Sequence, residues 1–239
     1  EKSRARVLFT MTDFLDTNHL EMLRATGIEL PDLKTVVVNR GRGPDDTLGF
    51  AEFIERGEEI SMEQAASRLA SVQPDDISDI LFSSGTTGRP KGAMCTHAQS
   101  LRAYWDWGRR VRLSDEDRYL IMMPVFHAFG YKAGWLASFM TGCTIYPESV
   151  LDVEWILERI EEESITVLPG PPTLYKTLLS FPNRGDRDLS SLRLAVTGAA
   201  VIPDGLVARM REELGFESVL TGYGLTEACG IVTGCDADD

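Results

Sequence analysis

Ser83 to Gly92 reads SSGTTGRPKG, which places four hydroxyl side chains, three glycines and the cation of Lys91 within ten positions. Gly85, Gly88 and Gly92 let the backbone turn tightly and bring its N–H groups to an anion. Ser83, Ser84, Thr86 and Thr87 add hydroxyl donors, and Lys91 adds a point charge. The chemistry this suits is the binding of nucleotide phosphates. A P-loop would need G-x-x-x-x-G-K followed by Ser or Thr, whereas Lys91 stands between Pro90 and Gly92. A dinucleotide fingerprint, G-x-G-x-x-G, is not contained in the stretch either. A plain solvent turn would also accept Gly, Ser and Thr, yet it requires neither this length nor the lysine.

Further candidates follow other short apolar runs. His127 stands in MPVFHAFGYKAG, between Phe126 and Phe129 and ahead of Gly130 and Gly134, a mixture suited to an apolar pocket wall with one polar group. PGPPT, Pro169 to Thr173, is a rigid turn into a helix, and GAAVIP, Gly198 to Pro203, would let a flat ring lie against the backbone. A tight turn into a helix explains GAAVIP equally well. In GYGLTE, Gly222 to Glu227, Tyr223 offers an aromatic face, Thr226 a hydroxyl, and Glu227 a hard oxygen ligand of the kind magnesium prefers. Arg40 and Arg42, in NRGRGPDDT, read as solvated loop charges.

The elements that must position these loops alternate. Strands are expected at Arg6 to Thr10, Thr35 to Val38, Ile77 to Phe82, Arg118 to Met122, Cys143 to Tyr146, Ile165 to Leu168, Arg193 to Thr197 and Ser218 to Thr221. Helices are expected at Asn18 to Thr26, Leu48 to Arg56, Met62 to Ser71, Thr96 to Trp107, Phe129 to Met140, Val153 to Glu162, Thr173 to Leu179 and Asp204 to Leu214. Such alternation means right-handed crossovers and an α/β fold of mostly parallel sheets flanked by helices. Function in that architecture collects beyond the carboxyl ends of the strands, where these loops lie.

Composition narrows the partners. The chain has 239 residues and 43% hydrophobic residues, and 24 Lys and Arg against 37 Asp and Glu give a net charge of −13. An acidic surface of this kind repels nucleic acid, and it binds an anionic nucleotide only through a local nest of donors and a metal ion. No apolar run reaches the roughly 18 residues that span a bilayer, so neither membrane insertion nor an address other than the cytoplasm is expected. Cys95, Cys143, Cys229 and Cys235 lack C-x-x-C spacing, which suggests neither a zinc site nor a disulfide framework.

SSGTTGRPKG, PVFHAFG at Pro124 to Gly130, GAAVIP and GYGLTE, in that order, resemble the adenylate-forming superfamily of acyl-CoA synthetases, firefly luciferase and peptide-synthetase adenylation domains. The resemblance implies that a carboxylate attacks the α-phosphorus of ATP, giving an acyl-adenylate and pyrophosphate, after which a thiol displaces AMP. It also implies residue roles. Ser83, Ser84, Gly85, Thr86, Thr87, Gly88, Arg89, Pro90 and Lys91 would hold the β and γ phosphates, with Thr226 on phosphate and Glu227 on magnesium. Tyr223, between Gly222 and Gly224, would stack on adenine, while Gly198, Ala199 and Ala200 would border the adenine and acyl pockets. His127 would lie at the carboxylate as gate and polar contact. Phe126, Phe129, Tyr131, Gly134, Gly170 and Pro171 would line the acyl pocket. Electrostatic positioning of this kind suits phosphoryl chemistry, which needs pre-placed donors and a metal more than a protein nucleophile.

The resemblance implies an acid:CoA ligase using ATP, Mg2+ and CoA; a carrier-protein-loading enzyme and a non-catalytic ATP-binding module are the alternatives. HAFGYKAG, TVLPGPPTLY and DLSSLRLAVTGAA are most similar to bacterial ligases that activate the propionate side chain of a bicyclic steroid-degradation intermediate, with medium-chain fatty and aryl acids left open. Members of the superfamily also carry sequence before the first strand and, after GYGLTE, a ribose-binding aspartate, a hinge and a C-terminal domain with a catalytic lysine. Residues 1–239 are therefore expected to be the central part of the AMP-binding N-terminal domain, inactive as a piece, with uncovered apolar surface that leaves room for a homodimer.

Overall fold

Alternate side chains along short apolar strands point to opposite faces, so a strand that is apolar at every position must be covered on both sides. The strand Leu194–Gly198, buried along its whole length, is the nearest to that character. The computed structural model describes residues 2–84 and 88–236 and resolves two units, Glu1–Gln73 and Pro74–Asp239.

In the first unit, β1 (Val7–Met11), β2 (Thr35–Arg40) and β3 (Leu48–Gly49) form a parallel sheet in that order. Three helices accompany it, α1 (His19–Ala25), α2 (Phe50–Glu55) and α3 (Met62–Ala70). Val37 and Val38 of β2 are buried, as a β-branched run predicts. The helix expected from Leu48 begins two residues later, because Leu48 and Gly49 pair with Val37 and Val38 instead. Ser61 and Gln64 close a reciprocal capping box at the start of α3.

The second unit opens on β4 (Ile77–Ser83) and β5 (Lys91–Thr96), which pair antiparallel with Ser83 opposite Lys91. This corrects the sequence reading, in which Lys91 to Thr96 had no strand and the glycine-rich loop led toward a helix. The loop is the tip of a hairpin. Then come α4 (His97–Arg110), β6 (Arg118–Ile121), a π-helical stretch (Phe129–Leu136) running into α5 (Ala137–Thr141), and β7 (Thr144–Pro147). The chain continues through α6 (Val153–Glu162), α7 (Pro172–Ser180), β8 (Leu194–Gly198), α8 (Leu206–Leu214), β9 (Ser218–Tyr223) and β10 (Thr233–Gly234).

β7 pairs with β6 and β8 with β9, both parallel, and β10 adds antiparallel to β9. The strand expected over Ile165 to Leu168 shrinks to single bridges, in which Val167 joins Tyr119 of β6 to Leu194 of β8. Prolines at 169, 171 and 172 remove the donors that would extend it. Side chains then sort by parity. Leu120, Leu168, Ala195 and Val219 join a core with Ile156, Leu157 and Ile160 of α6 and Leu174 and Tyr175 of α7. Tyr119, Ile121, Val167, Leu194, Val196 and Leu220 join Tyr104 and Trp107 of α4 in a second core on the other face. With both faces covered, the strand ends are where a ligand can enter.

Candidate functional site

β8 and β9 run side by side to their carboxyl ends with no room between them for a side chain. A Cβ placed on Gly198 would stand 2.2 Å from the carbonyl oxygen of Gly222. Ala199 then takes φ +62°, the left-handed region that costs an L-residue roughly 1–2 kcal/mol. After β9 the chain doubles back: Val232 donates its N–H to the Tyr223 carbonyl at 2.9 Å, and a Cβ on Gly224 would meet the Gly230 carbonyl oxygen at 1.8 Å. These close approaches leave a cleft lined by Gly198, Ala199, Gly222, Tyr223 and Gly224 from the strand ends, with His127 and Phe129 opposite. Tyr223 is 56% exposed where it lines the cleft.

His127 precedes the π-helical stretch, and its Nδ1 accepts the backbone N–H of Phe129 at 3.2 Å. The neutral ring compatible with that bond carries its proton on Nε2, which makes it a donor to a carboxylate or carbonyl oxygen.

The hairpin and the GYGLTE loop meet. The Ser83 hydroxyl, at the end of β4, donates to Oε1 of Glu227 at 2.9 Å across 144 positions of sequence. A hydrogen bond from its own backbone N–H, then the Ser83 hydroxyl and the charge of Lys91, hold the Glu227 carboxyl below the usual carboxylate range, so it is an anion at neutral pH. Thr226 opens the short 3-10 turn that carries Glu227. Ser84, Gly88, Arg89, Pro90 and Lys91 are exposed along the hairpin, while Gly85, Thr86 and Thr87 lie outside the described residues.

Other expected residues stand apart from the cleft lining. Phe126 is 79% exposed, and Ala200 is exposed beside Ala199. Gly134 is buried against Ile121, and Gly170 is built into the sheet by its N–H bond to the Val196 carbonyl at 2.9 Å. Pro171 caps α7, and Tyr131 is half-buried with its N–H bonded to the His127 carbonyl at 2.9 Å. In their place the cleft takes Tyr104 and Trp107 from α4, which the sequence reading did not single out. Their spacing of three along an amphipathic helix is the signal that places them on one inward face.

A second omission is a polar cluster behind the cleft. Lys132, fully buried in the π-helical stretch, lies 3.0 Å from Oδ1 of Asp79 on β4. It also donates to the Ser100 hydroxyl of α4 at 3.1 Å and to Sγ of Cys229 at 3.4 Å. Burial opposes its charge, but the neighbouring Asp79 carboxylate, with Cys95 and Cys229 beside it, outweighs that and holds the Lys132 pKa above the ordinary lysine value. The Tyr104 hydroxyl, kept protonated by burial, donates to the Cys229 carbonyl at 3.0 Å. All four cysteines are free thiols.

A family model described as AMP-binding enzyme matches residues 1–239. The chain is 48% identical over 242 residues to a 3-(7a-methyl-1,5-dioxo-octahydro-1H-inden-4-yl)propanoyl:CoA ligase of Mycobacterium tuberculosis, a match covering 100% of this chain and 46% of that protein. A ligase of the same name from Rhodococcus jostii is 43% identical over 242 residues, covering 100% of this chain and 47% of that one. Among solved structures, the anthranilate CoA ligase AuaEII in complex with anthranoyl-AMP superposes with a TM-score of 0.80 at 27% identity, over 99% of this chain and 43% of that chain. The chain thus spans about half the length of the curated relatives it matches.

Proposed function

The chain belongs to the AMP-binding enzyme family, and from that membership we propose that the whole protein is an acid:CoA ligase, of which residues 1–239 are the central part of the AMP-binding N-terminal domain. The acid carboxylate attacks the α-phosphorus of ATP and pyrophosphate leaves. The thiol of CoA, losing its proton, then displaces AMP to give the thioester. The substrate class we propose is a propanoate side chain on a bicyclic diketone, as the names of the two bacterial relatives suggest.

The observation that carries this reading is the Ser83–Glu227 hydrogen bond. It joins the hydroxyl- and lysine-bearing hairpin to the carboxylate loop at the side of the cleft that Tyr223 and Ala199 line. The hairpin and Thr226 would hold phosphate oxygens, Tyr223 would stack on the base, and the Nε2 proton of His127 would steady the acid's carboxylate. Glu227 fits magnesium, because a hard, ionised and exposed carboxylate is the usual lone protein ligand of a cation that otherwise keeps waters and substrate phosphates. When bound, the ion supplies charge neutralisation on the phosphates. No helix among the described residues is long and apolar enough to cross a membrane.

The test is ATP-dependent pyrophosphate release by the whole enzyme against bicyclic keto-propanoates, medium-chain fatty acids and aryl acids, with and without CoA. Turnover with one acid class, thioester formed only with CoA, and a loss of about 100-fold or more in Glu227→Gln are expected. Nucleotide binding without turnover of any acid would make the chain a binding module and end the ligase reading.

A further inference from the structure

We propose that Lys132 is a positioning residue that sets the acid-binding wall of the cleft against its phosphate-binding wall, an inference that rests on the ligase reading above. Its ammonium is ion-paired with Asp79 of β4 at 3.0 Å and donates to the Ser100 hydroxyl of α4 and to Sγ of Cys229, in the loop beyond Glu227, so one charge joins three other elements. Asp79, Cys229 and Lys132 itself each lie close in sequence to a residue of the proposed chemistry. Asp79 precedes Ser83 on the same strand, Cys229 follows Glu227 by two residues, and Lys132 shares a helical turn with His127 through the Tyr131–His127 backbone bond.

The buried ammonium therefore closes behind the cleft the same gap that the Ser83–Glu227 bond closes at its mouth, and it adds the His127 wall, which that bond does not touch. An apolar side chain of equal length would fill the space without the cost of desolvating a charge. What the charge adds is direction. It fixes three partners at distances of 3.0, 3.1 and 3.4 Å, and adenylate formation requires the carboxylate and the α-phosphate to be brought together with little error. Ser78 and Ser100 complete the cluster by donating to Oδ2 of Asp79 at 2.7 and 3.4 Å.

The test uses the whole enzyme as wild type, Lys132→Met, Cys229→Ala, and the double variant Lys132→Met with Asp79→Asn, which removes both charges and keeps an acceptor for the two serines. Lys132→Met is expected to lose about 100-fold in kcat for acid-dependent pyrophosphate release, with the KM for ATP and for acid moving less than about threefold. Cys229→Ala, which removes one contact, carries the same signature at smaller size. The double variant is expected to recover the melting temperature of wild type but not its kcat. Recovery of kcat together with melting temperature would reduce Lys132 to a structural ion pair and overturn the proposal. A loss confined to KM would overturn it as well. Amide hydrogen exchange without substrate is the second readout: segments 124–131 and 223–230 are expected to exchange faster together in Lys132→Met and in the double variant, while β8 stays protected. Unchanged protection in either segment sinks the idea. If wild type turns over no acid the ligase reading fails on its own account, and the exchange experiment still decides the role of Lys132.

Discussion

The two ends of the same parallel strands are built from opposite materials. At the amino edge, Asp117, Thr166 and Arg193 each stand one residue ahead of β6, the Val167 bridge and β8. They form one knot: the Asp117 carboxylate accepts Arg193 Nε at 2.7 Å, the Thr166 hydroxyl at 2.8 Å and the Ser114 N–H at 2.9 Å, with a further bond to the Arg193 guanidinium. At the carboxyl edge the strand ends carry Gly170, Gly198, Ala199, Gly222 and Gly224, and backbone meets backbone. The amino edge fixes the strands with charge, so the carboxyl edge can give its surface to a ligand. The polar cluster at Lys132 lies behind that surface and ties loops rather than strand starts.

The largest effect should come from cutting the knot. Asp117→Ala removes the buried carboxylate and leaves the partly exposed Arg193 guanidinium without its partner, and a loss of about 3 kcal/mol is expected in urea unfolding. The comparison sharpens if the protein that remains folded keeps its kcat, since no residue of the knot touches the cleft. A fall in kcat equal to that of Glu227→Gln would break it, by showing that the two edges are not separable.

The opposite edge answers to shape rather than charge. Gly198→Ala places a methyl 2.2 Å from the Gly222 oxygen, so the ends of β8 and β9 must part where the cleft begins. About 1–3 kcal/mol of stability and most of the activity should go together. Activity retained at the wild-type level would mean the cleft does not depend on that close approach.

Acid separates the edges a third way. Burial pushes the Asp117 carboxyl up, but Arg193, the Ser114 N–H and the Thr166 hydroxyl outweigh it and hold its pKa below the ordinary 3.8. A lowered folded-state pKa means stability that is present above pH 3.8 and is lost as pH falls through the folded value. The stability difference between wild type and Asp117→Asn should therefore be constant near neutrality and shrink below pH 3.8, as read by denaturant unfolding across pH. A constant difference down to the acid limit would show that Asp117 acts through packing alone.

What the sequence disclosed differs between these regions for the same reason. The loops were legible because Gly, Pro and hydroxyl residues punctuate the strand ends, and His127, Tyr223 and Glu227 stood inside them. The alternation of β6 to β9 with helices was legible from apolar runs. The hairpin was not, because KGAMCT has little β-branching and takes its strand state from pairing with β4. Nor was the knot, whose members lie 49 and 76 positions apart and meet only once the sheet exists. A signal for the polar cluster was present and went unread: Asp79 is the lone acid in ISDILF and Lys132 the lone base in FGYKAGWL, opposite charges that burial obliges to pair.

The smallest effect tests whether the carboxyl edge stores strain. Ala199 sits at φ +62° on the cleft wall, where glycine would relieve about 1–2 kcal/mol and give back about 0.5–1 kcal/mol through the greater freedom of the unfolded chain. Ala199→Gly should then raise the melting temperature slightly, by about 1–2 °C for a domain of this size. It should also weaken nucleotide binding about twofold to fivefold, because the wall that Ala199 holds becomes free to move before ligand arrives. A lower melting temperature would mean the left-handed turn is relaxed in place. In that event the carboxyl edge would be as unstrained as the amino edge, and its glycines would serve close approach alone.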